Sequence, residues 1–81
     1  MKITAKLTKI ESGKVRALGS IVIDDAVKVE GIRVIEGEKG LFVAMPQRKN
    51  KEEKYEEIVY PVTREAREQI IKTVLDAYNA L

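Results

Sequence analysis

The sequence lacks cysteine and histidine altogether, and it has no tryptophan and two prolines among its 81 residues. Without cysteine or histidine, the chain has no disulfide and none of the sulfur or imidazole ligands that zinc sites use. The same absences remove the commonest general acid–base residue and the commonest soft nucleophile. We therefore expect a protein that binds rather than catalyses, that is not an enzyme, and that needs no cofactor and no metal.

Long apolar stretches are also absent. No apolar run approaches the roughly 20 residues that a membrane-spanning helix needs. The opening Met1-Lys2-Ile3-Thr4-Ala5-Lys6 places charge too often for the apolar core of a signal peptide. Since a chain without cysteine suits a reducing compartment, we expect a cytoplasmic protein that does not associate with membranes.

Length and net charge limit the possible number of domains and the possible ligands. Residues 1–81 are expected to form a single domain, and a domain of this size buries only about 60% of the surface that its unfolded chain exposes. The 15 basic and 13 acidic residues leave a net charge of +2. This balance is not typical of a nucleic-acid binder, so any surface for phosphates must arise from the sorting of charges to one face.

Alternation of apolar and polar residues predicts several β-strands. In the third of them the apolar positions change phase, from Val27 and Val29 to Ile32 and Val34, and Gly31 lies at the change. A one-residue slip at glycine predicts a β-bulge. The strands are expected at about residues 2–10, 14–23, 26–36, 40–45 and 55–60, and a charged loop without regular structure is expected at 46–54.

A C-terminal helix is predicted over residues 64–79. Apolar residues recur there every four positions, at Ala66, Ile70, Val74 and Tyr78, and Thr63 precedes them as a good N-cap. The apolar stripe must be buried, and one face of the sheet is the available partner. The expected fold is therefore α+β, an antiparallel sheet of four to five strands with one C-terminal helix packed on one face.

Three surfaces are candidates for binding phosphates. The uncovered sheet face is expected to present Lys2, Thr4, Lys6, Thr8, Arg16, Ser20 and Lys28 together with the acidic Glu30. This face is either a phosphate-binding surface or an ordinary solvated face, and it lacks the paired aromatic residues on which RNA-reading sheets stack bases.

The other two candidates are the charged loop and the start of the helix. The loop carries Arg48, Lys49, Lys51 and Lys54 against Glu52 and Glu53. At the start of the helix, free backbone N–H groups favour anions beside Thr63, Arg64 and Arg67. Either group could instead be a solvated surface, with Arg67 paired to a glutamate. The two would form one positive ledge if the loop folded back over the helix.

A family resemblance covers essentially the whole chain. Residues 32–46 read Ile-Arg-Val-Ile-Glu-Gly-Glu-Lys-Gly-Leu-Phe-Val-Ala-Met-Pro, and residues 55–61 read Tyr-Glu-Glu-Ile-Val-Tyr-Pro. These runs closely resemble the signature of the stage V sporulation protein G family of small bacterial regulators. Tyr60 stands where family members usually have histidine, and residues 50–53 replace a Pro-Asp-Gly-like turn.

The resemblance implies an α+β homodimer that binds DNA and RNA, regulates septation and sporulation, and has no enzymatic activity. On charge and helix geometry, we expect this function to fall on Arg48, Lys49, Lys51, Thr63, Arg64 and Arg67. The alternative is a protein-interaction module that acts on cell-division proteins through its sheet edge or exposed apolar patches, with nucleic-acid binding incidental.

Overall fold

The computed structural model describes residues 1–81 and has an antiparallel sheet, a separate small hairpin and one C-terminal helix. The four main strands lie in chain order, each paired with the next. The elements are β1 (Ile3–Ser12), β2 (Val15–Ile23), β3 (Val27–Gly37), β4 (Gly40–Ala44), β5 (Gln47–Lys49), β6 (Tyr55–Glu57) and α1 (Arg64–Asn79). The α+β class and the antiparallel sheet with one helix are as expected from the sequence.

The core lies between α1 and one face of the sheet. Ile21, Ile32 and Val34 from the strands and Val74 from the helix are fully buried. Ile70 of the helix and Met45, just after β4, complete the contact between the two layers. Only nine of the 81 residues are buried and none of them is polar, so a thin apolar layer accounts for most of the fold's stability.

Gly31 forms the bulge that the change of phase predicts. Gly19 of β2 pairs with Ile32, whereas the next residue, Ser20, pairs with Glu30, so Gly31 has no partner across the ladder. Its φ of +84° is one that residues with a side chain rarely adopt. Because of this extra residue, Val29 and Ile32 both face the helix, and Arg33 faces the opposite side of the sheet.

The segment after β4 differs from the expected loop at 46–54 and the expected strand at 55–60. Residues Gln47–Lys49 form β5, which pairs with β6, a strand of the same length, and the two make a hairpin that is not part of the main sheet. Pro46 has no N–H and ends the main-sheet pairing. Its carbonyl oxygen instead accepts a hydrogen bond from the Ile58 N–H at 2.9 Å, which closes the base of the hairpin.

Glycine at position 19 allows β1 and β2 to approach each other closely. A Cβ atom there would lie 2.0 Å from the carbonyl oxygen of Lys6 and 2.8 Å from the Cα of Leu7. Both are backbone atoms of the neighbouring strand, so no side-chain rotation relieves the clash. The first two strands can therefore pair in this register only when residue 19 has no side chain.

We predict that Gly19→Ala lowers the free energy of unfolding by about 3 kcal/mol, because the strands must separate to accept the methyl group. Gly13→Ala is the matched control, since nothing lies within 4 Å of its Cβ position and its cost, about 1–2 kcal/mol, comes only from a φ of +61°. Urea denaturation followed by circular dichroism measures both. Equal stability of the two variants would contradict the close-approach argument.

Candidate nucleic-acid interface

The basic hairpin, residues 47–57, presents its charges on two faces. Across the hairpin Arg48 lies opposite Glu56, and Lys49 lies opposite Tyr55. Successive residues of a strand point to opposite faces, so Arg48 and Lys49 diverge. The Nζ atom of Lys49 lies 5.6 Å from the centroid of the Tyr55 ring, within the range of a cation–π interaction.

Asn50 organises the turn of the basic hairpin. Its side-chain oxygen accepts hydrogen bonds from the N–H groups of Glu52 at 2.8 Å and Lys54 at 3.1 Å. Glu53 has a φ of +58°, which completes the reversal of the chain. The turn is thus fixed by Asn50 rather than by a glycine, and it holds Lys51 at the exposed tip.

Most basic side chains of the hairpin have no acidic partner. Lys54 lies 3.9 Å from the carboxylate of Glu52, but Arg48, Lys49 and Lys51 have no carboxylate oxygen within 4.0 Å. All three residues are exposed. Their charges are therefore available to an anionic ligand without the breaking of an existing ion pair.

The start of α1 is capped by Thr63. The hydroxyl oxygen of Thr63 accepts a hydrogen bond from the Ala66 N–H at 3.1 Å, and its carbonyl oxygen accepts one from the Arg67 N–H at 3.1 Å. The predicted N-cap is confirmed. The Thr63 hydroxyl oxygen, which would contact a ligand, is therefore already engaged in capping the helix.

The two arginines of the first helical turns have different surroundings. The Nε of Arg64 donates to Glu68 at 3.1 Å, but 86% of the Arg64 side chain is exposed, so this pair is weak. Arg67 has no ion pair within 4.0 Å and lines a small cleft whose other members are Val43, Met45, Glu57, Pro61, Ile70 and Ile71. Both guanidinium groups therefore remain accessible to phosphates.

The six expected site residues form two groups. Arg48, Lys49 and Lys51 lie on the basic hairpin, and Thr63, Arg64 and Arg67 lie at the helix start. No hydrogen bond or ion pair connects the groups, and Glu57 of the hairpin lines the cleft beside Arg67. The two groups are thus neighbouring basic surfaces rather than one fused cluster.

Acidic neighbours neutralise most of the cations expected on the uncovered sheet face. Lys2 pairs with Asp25 at 2.9 Å, Lys28 lies 3.6 Å from Glu30, and Arg16 pairs with Glu36. The hydrogen bond that Arg16 donates to the Glu36 carboxylate, together with the negative charge of Glu36, raises the pKa of Arg16. Lys6 alone of these four cations has no such partner, so this face is mainly an ordinary solvated surface.

Sequence reasoning missed one arrangement at the edge of this face. Arg33 of β3 donates a hydrogen bond to the side-chain oxygen of Gln47 at 3.3 Å, and both line a cleft with Tyr55. Arg33 lies in an apolar strand and Tyr55 in a charged segment. The isolated Tyr55 was the single local signal, whereas its approach to Arg33 depends on tertiary structure.

Two further observations concern helices and metals. The only helix, α1, is too short and too polar to cross a lipid bilayer. Residues 1–81 contain no cluster of three or more acidic, histidine or cysteine side chains that could hold a metal ion.

Comparison with known families gives a decisive result, since the family model described as SpoVG matches residues 1–80. The chain belongs to the SpoVG family. It is 50% identical over 72 residues to a protein of Symbiobacterium thermophilum, 46% identical over 81 residues to one of Agathobacter rectalis, and 45% identical over 68 residues to one of Archaeoglobus fulgidus. All three are named "Putative septation protein SpoVG".

The extent of these matches differs among the SpoVG relatives. They cover 89%, 98% and 84% of this chain for the Symbiobacterium, Agathobacter and Archaeoglobus proteins respectively. The aligned region spans about half, 51%, of the Symbiobacterium protein, against 93% and 80% of the other two. Each of the three matches therefore covers more than four fifths of this chain.

We predict that Thr63→Ala lowers stability by about 1 kcal/mol, because the Ala66 N–H loses its capping oxygen. For a domain of this length, such a loss lowers the melting temperature by about 4–8 °C in a calorimetric scan. Thr63→Ser keeps the oxygen and should retain most of the stability. A melting temperature of Thr63→Ala equal to that of the unaltered protein would show that Thr63 does not stabilise the helix.

Proposed function

We propose that this SpoVG-family chain is a dimeric regulatory protein of septation and sporulation that binds DNA and RNA in the cytoplasm and has no enzymatic activity. The observation that supports this most directly is the basic hairpin, where Arg48, Lys49 and Lys51 are exposed and have no acidic partner. Elsewhere, five ion pairs hold cations close to acids. The three unpaired cations of the hairpin lie within four consecutive residues, so their charges act on one small part of the surface.

The helix start complements the hairpin in this proposal. The first N–H groups of α1 and the positive end of its dipole lie beside Arg64 and Arg67, and such an arrangement attracts phosphate oxygens. Each contact to the nucleic-acid backbone releases a bound counterion, which makes affinity depend steeply on salt. The proposed contacts are thus sequence-independent and position the ligand, while base recognition requires further residues.

A homodimer is part of the same proposal. Both outer strands of the main sheet, β1 and β4, have an edge without a strand partner. On the β4 edge, Leu41 and Phe42 are 39% and 48% exposed, and an apolar edge of this kind invites pairing with another strand. Pairing of two β4 edges would cover these side chains and enlarge a core that has nine buried residues.

A second candidate function rests on a different surface. Residues 58–62, between the hairpin and the helix, expose Ile58, Val59, Tyr60 and Val62, and Val62 is 88% exposed. An apolar segment of this kind is typical of a protein-binding surface. The alternative is therefore a module that binds cell-division proteins through residues 58–62, with nucleic-acid binding incidental.

We predict that replacing Arg48, Lys49 and Lys51 together by glutamine weakens binding to both DNA and RNA and lowers its salt dependence. Each lost phosphate contact reduces the slope of log affinity against log salt by about 0.9 on duplex DNA, so the slope should fall by about 2–3. Fluorescence anisotropy with a labelled 20-base-pair DNA duplex and a labelled 20-nucleotide RNA, between low and physiological salt, measures the slopes.

The matched control replaces Lys9, Lys14 and Lys39 by glutamine. These three exposed lysines have no carboxylate within 4.0 Å and lie outside the hairpin, and their loss changes net charge from +2 to −1, as the hairpin variant does. An equal effect of both variants would show that only overall charge matters. If the unaltered protein bound neither nucleic acid at low salt, the protein-interaction function would be favoured instead.

We further predict that light scattering at micromolar concentration gives about twice the 9.1 kDa mass of one chain. Phe42→Lys should shift the mass toward that of the monomer, because a charge on an edge strand opposes strand pairing. Val62→Lys places the same charge on an apolar position away from β4 and should leave the dimer intact. A stable 9.1 kDa species from the unaltered protein would rule out the dimer.

A further inference from the structure

We infer that Tyr55, with Arg33, Gln47 and Lys49, forms a base-stacking site for an unpaired nucleotide, so that single-stranded DNA or RNA is the preferred ligand of the basic hairpin. This inference rests on the proposed nucleic-acid function and adds a ligand class to it. Its starting point is the exposure of Tyr55, which at 67% is the most exposed aromatic side chain of the protein.

Two cationic side chains lie close to Tyr55. Lys49, its partner across the hairpin, holds its Nζ atom 5.6 Å from the ring centroid. Arg33 also reaches from the main sheet to Gln47, and Arg33, Gln47 and Tyr55 together line one cleft. Neither Arg33 nor Lys49 has a carboxylate oxygen within 4.0 Å. An exposed aromatic ring beside two unneutralised cations matches the alternation of base and phosphate along a nucleic-acid strand.

The hydrogen-bonding capacity of the cleft points to the same ligand. The guanidinium group of Arg33 has five N–H donors and uses one of them on Gln47. The side-chain oxygen of Gln47 accepts the bond from Arg33, and its amide nitrogen donates no hydrogen bond within the protein. These donors lie beside the ring and can reach a base edge or a phosphate oxygen.

The site selects single strands because the bases of a duplex already stack on their neighbours. A base can reach the Tyr55 ring only when it is unpaired or has been extruded at a cost of a few kcal/mol. Glu57, two residues along β6 from Tyr55, lines the separate cleft beside Arg67 and not the cleft that Tyr55 lines with Arg33.

The test compares Tyr55→Leu with Tyr55→Phe, using fluorescence anisotropy with a labelled 15-nucleotide thymidine strand and a labelled 15-base-pair duplex. Loss of the ring in Tyr55→Leu should weaken single-strand binding about 5- to 100-fold, as loss of one base–aromatic stack does. Tyr55→Phe keeps the ring and should bind within about twofold of the unaltered protein. Duplex affinity and the single-strand salt slope should change in neither variant, because no charge has been removed.

A second measurement reports stacking directly. In a chain with Tyr60→Phe and Tyr78→Phe, Tyr55 is the only tyrosine left, and the sequence has no tryptophan. Addition of unlabelled 15-nucleotide thymidine strand should then quench the tyrosine emission. A purely structural role for Tyr55 would not produce this quenching, and circular dichroism checks that the fold is retained.

The outcomes separate this inference from the proposed function. If affinity falls steeply with salt and Tyr55→Leu does not change it, the stacking site is overturned and the nucleic-acid function remains in place. An equal loss of single-strand and duplex binding in Tyr55→Leu would also overturn the stacking site. Absence of binding to either labelled probe at low salt would overturn both.

Discussion

The bulge at Gly31 connects the packing of the core to the surface that we propose binds nucleic acid. In a regular strand, Val27 and Val29 would face one side of the sheet and Ile32 and Val34 the other. The extra residue reverses the phase, so that Val29, Ile32 and Val34 all contribute to the core shared with α1. The same reversal directs Arg33 to the opposite side, where it bonds to Gln47 of the hairpin. This one bulge therefore places apolar side chains in the core and Arg33 at the candidate site.

Regular elements with a clear period could be predicted from the sequence. The helix was expected at 64–79 from a four-residue repeat and the Thr63 cap, and the structure has α1 at Arg64–Asn79. The bulge at Gly31 could be predicted because the apolar positions on either side of it are out of phase. β5 gave no such signal, because three polar residues in a row show no alternation between faces. Its pairing with β6 depends on the turn that Asn50 stabilises and on Pro46, whose carbonyl oxygen accepts the hydrogen bond that closes the base of the hairpin.

Only the charged residues of the candidate site could be predicted from the sequence. Arg48, Lys49 and Lys51 were identified from local composition, and Arg64 and Arg67 from their place at a helix N-terminus. The pairing of Arg64 with Glu68 follows helical spacing and was open to prediction. By contrast, the meeting of Arg33, Gln47 and Tyr55 requires the bulge, the end of β4 and the hairpin register together. A sequence pattern can predict each of these features separately. It does not predict how the three together bring side chains into contact.

The local grouping of unpaired cations on the surface explains how a nearly neutral chain could bind an anionic polymer. With a net charge of +2, the molecule as a whole provides little long-range attraction. The chain instead offers three unpaired cations on one hairpin and two arginines at the helix start. Contacts of this number would account for a modest affinity in the proposed function.

Symmetry would compensate for the small size of this patch. In the proposed dimer, binding of one hairpin places the second at a high effective concentration near the same strand. Such linkage strengthens binding by about 100- to 10,000-fold without any new contact, provided that the ligand can span both sites. A flexible single strand meets that geometric requirement more easily than a stiff duplex, whose persistence length is about 150 base pairs. The thin core, the open β4 edge and the exposed Tyr55 therefore favour one arrangement, in which dimerisation stabilises the fold and doubles a small single-strand site.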